Sequence, residues 1–163
     1  MVAFVQRGYA SPRLVHVHGS DAHAREMTKA LARALTRWEE SVPRGALFDD
    51  ERAEAERYAV TMTYVGGAHA AGKGLVVYDP VVDRLFLPPV GRYLGVVRIS
   101  ALDPILKQLD ARLTTVGVAG HESLPGRVQA LLGRRRVVDW GKMQKPALDG
   151  PLDLRTSAED DDV

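Results

Sequence analysis

A chain of 163 residues with no cysteine has given up one whole branch of enzyme chemistry: thiolate nucleophiles, zinc-thiolate sites and disulfides are all excluded. What could still react is an alcohol, an imidazole or a phosphate cradle. The polar turn Gln6-Arg7-Gly8-Tyr9-Ala10-Ser11-Pro12 offers Tyr9 and Ser11. A phenol with a reference pKa near ~10 stays protonated at neutral pH, and a serine needs a positioned base that no motif here supplies. Ser11 is therefore a weak nucleophile candidate, and Tyr9 reads as a packed or hydrogen-bonded ring.

Three other clusters invite chemistry and are better read structurally. Gly67-Ala68-His69-Ala70-Ala71-Gly72-Lys73-Gly74 nearly spells a phosphate loop, but Gly74 stands where a magnesium-binding Ser or Thr belongs. The segment also follows a helical pattern and enters a strand, the reverse of the strand-to-helix order that aims amides at phosphate, so it reads as a flexible connector. His16 and His18 share one strand face with His23 near in sequence, yet no metal-ligand spacing occurs. Solvent-facing or edge histidines are expected, and no metal site. Arg134-Arg135-Arg136 follows a helix end, where cations complement the last carbonyls.

The elements that must position these groups follow from periodicity. Val2–Val5 and Leu14–His18 read as short strands flanking the turn. Met27, Ala30, Leu31, Ala34, Leu35 and Trp38 recur at helical spacing as one core stripe, with Ser20 or Asp21 as cap and Pro43 and Gly45 as the stop. A second helix begins at Asp49-Asp50, buries Ala55, Tyr58, Ala59 and Met62, and ends at Gly66-Gly67. From there strand and helix alternate: strands at Leu75–Tyr78, Tyr93–Ile99, Leu113–Ala119 and Val137–Trp140, helices over Ser100–Asp110 and Leu124–Leu132. Alternation predicts an α/β layer, a largely parallel sheet with helices covering it. The acidic stretch over 156–163 is expected to form a solvated tail beyond a single domain at 1–155.

Bulk composition narrows the partners. A formal net charge of +1 gives no general attraction to nucleic acid or anionic membrane. No apolar run approaches the ~20 residues of a membrane span, and the start has too short an apolar run for a signal peptide, so a cytoplasmic location is expected.

Four segments in order carry a resemblance. The Gln6–Pro12 turn is similar to the Gln-x-Gly-Cys-x-Ser-Pro turn of the fatty acyl-CoA reductase family, which includes the reductase component of the fatty acid reductase of luminous bacteria and belongs to the aldehyde dehydrogenase superfamily. Leu75-Val76-Val77-Tyr78-Asp79-Pro80, Thr115-Val116-Gly117-Val118 and Gly141-Lys142-Met143-Gln144-Lys145-Pro146 resemble three further family segments. Pro88-Pro89-Val90-Gly91-Arg92-Tyr93-Leu94 stands where the family commonly shows Ser-Pro-Leu-Asn-Arg-Thr-Val, keeping Arg92 and losing the asparagine.

The resemblance implies a catalytic-domain fold of that superfamily and NADPH-dependent reduction of a long-chain acyl-CoA or acyl thioester to a fatty aldehyde. It places Tyr9 at the nucleophile position and Gln6, Gly8 and Arg92 in substrate contact. It also implies that the nicotinamide domain is missing, so that no NADP is expected to bind this chain alone. The domain would then be inactive by itself. The competing expectation is a non-catalytic module, binding long-chain acyl-CoA or self-associating as a homo-oligomer, or working with a separate cofactor-domain chain.

Overall fold

The structure, a computed structural model, describes residues 11–80, 86–109, 115–133 and 135–143. The expected first strand at Val2–Val5, the residues Gln6, Gly8 and Tyr9, Arg134, Gln144–Pro146 and the acidic tail lie outside the described residues. The chain divides into two compact units, Val2–Ser100 and Ala101–Val163 together with Met1, each described by itself. Both are α/β.

The first unit is a four-stranded mixed sheet between two helices. Its elements are β1 (Leu14–His18), α1 (Asp21–Ser41), α2 (Asp49–Val65), β2 (Gly67–Ala71), β3 (Gly74–Asp79) and β4 (Tyr93–Ile99). The sheet order is β1-β4-β3-β2; β1 and β3 run parallel to β4, and β2 runs antiparallel to β3. In β3 and β4, successive side chains go to opposite helices, which is why both read as unbroken apolar runs. Val76, Tyr78, Leu94 and Val96 join Leu31, Ala32 and Leu35 of α1, with Val15 and Val17 of β1. Val77 and Tyr93 join Ala55, Tyr58 and Met62 of α2. Tyr58 meets Tyr93 edge to face, with centroids 5.9 Å apart and planes at 89°. Each such side chain, fully buried, contributes about 1.5–3 kcal/mol.

Helix ends obey local chemistry. Ser20 caps α1 by accepting from the His23 amide at 3.2 Å, and the Glu51 carboxylate reaches back to the Phe48 amide at 2.8 Å to open α2. Phe48, rather than Asp49 or Asp50, is the N-cap; the two acids sit in the first turn, where they favour the helix dipole. The core face of α1 runs through Ala24, Thr28, Leu31, Ala32 and Leu35, rotated from the expected stripe. Ala30 is exposed and Trp38 is 36% exposed. Counting only apolar residues missed Thr28, whose hydroxyl is satisfied by the Ala24 carbonyl at 2.8 Å and so can be buried.

The expected connector at Gly67–Gly74 is instead a β-hairpin, β2 and β3 joined through Gly72-Lys73. Gly72 has φ +62 at the first central position, the requirement of a tight two-residue hairpin turn. A strand of this composition occupies an edge, where small side chains are tolerated.

The second unit holds α3 (Asp103–Leu109), β5 (Thr115–Val118), α4 (Leu124–Leu132) and β6 (Arg136–Asp139). β5 and β6 pair in parallel across α4, a βαβ crossover. Leu106, Val118, Val128 and Leu132 form its core, with Val116, Leu124 and Val137 against it.

Candidate functional site

The amino end of β1 brings two of the singled-out segments together. Ser11-Pro12-Arg13 leads into β1, and the Gly95 amide donates to the Arg13 carbonyl at 2.9 Å. The Arg13 guanidinium donates in turn to the Pro88 carbonyl at 3.3 Å. Pro88 and Pro89 are fully buried beside this junction, and a Cβ on Gly95 would lie 3.1 Å from Leu14 and 3.4 Å from Pro88. Arg13, directly after Ser11-Pro12, and Pro88, 75 residues apart in sequence, thus meet at the same end of the sheet. Ser11 itself is half-buried and takes part in the local bonding.

Arg92, named in sequence as a substrate contact, is 1% exposed and turned into the protein. Its guanidinium donates to Glu39 at 2.6 Å and to the carbonyl of Val42, the C-cap of α1, at 2.5 Å. The last turn of α1 contains no basic residue of its own, so Arg92 supplies the cation that complements the helix's negative end. Its backbone sits at φ +69, a left-handed value costing about 1–3 kcal/mol for a residue with a side chain. Arg44 completes the knot by donating to the carbonyls of Lys73 at 2.6 Å and Gly91 at 3.1 Å, while its amide donates to Glu39 at 2.9 Å. A Cβ on Gly74 would run into the Arg92 carbonyl, and one on Gly91 would crowd Leu47 and Arg44.

The carboxyl ends of the parallel strands gather a second polar cluster. Tyr78 donates to one carboxylate oxygen of Asp21 and Arg25 to the other at 2.6 Å, while the Arg25 guanidinium lies 4.6 Å from the centre of the Tyr78 ring. The Tyr78 hydroxyl, then the Arg25 hydrogen bond, lowers the Asp21 pKa. Burial raises that of Tyr78, with the Asp21 carboxylate adding to the effect. His18 Nε2 lies 3.2 Å from the Ser100 carbonyl. Sequence reasoning passed over Asp21 as more than a cap; its signal was an acid four residues before Arg25 on one helix face.

Among the described residues β1 is a sheet edge, the setting expected for His16 and His18, but the two differ: His18 is exposed, whereas His16 is half-buried and desolvation lowers its pKa. Among the described residues no three His, Cys, Asp or Glu side chains converge as a metal site.

The remaining segments meet in the second unit. Gly117 lies against Met143, whose Cγ and Sδ would stand 2.9 Å from a Cβ at that position. Arg136 donates to the carbonyls of Met143 at 2.6 Å and Lys142 at 3.3 Å. It therefore secures the Gly141–Met143 segment.

Residues 1–154 match the family model described as acyl-CoA reductase (LuxC). The chain belongs to the acyl-CoA reductase (LuxC) family. No curated protein matches it. LuxC members are NADPH-dependent reductases, and two strand-to-helix junctions, one within each unit, bear on a dinucleotide cradle. At β1–α1 a single glycine, Gly19, precedes the cap, and the Asp21 carboxylate occupies the first turn where a diphosphate would need positive potential. At β5–α4, Gly120 is likewise alone, and Pro125 removes an amide from the first turn. Neither junction fits an NADP diphosphate.

Proposed function

We propose that residues 1–163 form an acyl-CoA reductase-like domain, similar to the catalytic domain of the aldehyde dehydrogenase superfamily, that does not reduce acyl thioesters by itself. The reaction of the family takes a long-chain acyl-CoA or acyl thioester to the fatty aldehyde with NADPH. Carrying the acyl group requires a nucleophile that ionises near neutral pH and leaves well, which a thiol tuned from pKa ~8.5 can do and a phenol or plain alcohol cannot. The observation that carries this reading is the absence of cysteine from residues 1–163, with Tyr9 where the resemblance of the Gln6–Pro12 turn would put the family's thiol. The unfitted strand-to-helix junctions support it for the cofactor; hydride transfer would draw on residues outside 1–163 or on a separate chain.

The test is a sensitive assay of acyl-CoA-dependent NADPH oxidation on the purified chain. No turnover is expected. Turnover that disappears in the Tyr9→Phe, Ser11→Ala double variant would refute the proposal.

A second reading, a binding module acting through a partner or through self-association, is favoured by what remains intact. The buried Arg92–Glu39 pair and the Gly117–Met143 contact both hold segments shared with the family in a chain that has no cysteine. Size measurement and binding of hexadecanoyl-CoA address it: a folded monomer indifferent to acyl-CoA would exclude it.

A further inference from the structure

We draw no further inference here: the strongest candidate, the exposed outer face of α2 around Val60 and Tyr64, is an unpartnered helix face, and nothing in the structure shows what covers it.

Discussion

At the scale of single residues, Arg92, expected as a substrate contact, sits in a buried ion pair with Glu39. It is 1% exposed and its partner Glu39 is 15% exposed, so the pair is shielded from solvent. Removing one member leaves the other buried and uncompensated, which costs about 3–5 kcal/mol. Glu39→Ala should therefore lower the urea-unfolding free energy by that amount; a change below about 1 kcal/mol would mean that Arg92 finds other partners. His16 gives a pH dependence. Its folded pKa lies below the ordinary 6.5 because burial disfavours the imidazolium. The unfolded chain thus binds the proton more readily, and stability falls as pH drops from near 6.5 toward the folded pKa. Urea midpoints measured from pH 7.5 to 5 should decline in the parent, and His16→Gln should flatten that decline. Nothing in the sequence distinguished His16 from His18, because face alternation is the same for both and only the packed neighbours differ.

At the scale of elements, the strands paired on both sides were the easiest to read. Tyr93–Ile99 appears at its expected bounds because it is covered by α1 on one face and α2 on the other, so every position except Arg98 is uncharged and nearly all are apolar. β2 was illegible for the opposite reason. An edge strand of Gly, Ala and His has no alternation to detect, and only Gly72-Lys73 between two pairable runs hinted at a hairpin. The α1 stripe was misphased because a threonine that bonds its own helix counts as core. Ser20→Ala should test the cap that starts α1, costing about 1 kcal/mol in thermal or urea unfolding. Between β5 and the segment after β6, Gly117→Ala should cost about 1–3 kcal/mol, since its methyl meets the Met143 side chain. In a Met143→Ala background the same change should be nearly neutral. Additive costs would show that the glycine serves the backbone alone.

At the scale of the whole molecule, family membership was legible because short segments recur in order across residues 1–154. What those segments do together was not. The structure pairs Arg13, at the start of β1, with Pro88 and Gly117 with Met143, contacts whose partners are too far apart in sequence for periodicity to reveal. These contacts persist in a chain that has no cysteine, and the proposal of an inactive domain rests on that missing thiol. Intact-mass spectrometry of the purified chain after incubation with hexadecanoyl-CoA reads that distinction directly. The protein is expected to remain at its unmodified mass; a stoichiometric hexadecanoyl adduct mapping to Tyr9 or Ser11 would contradict the account.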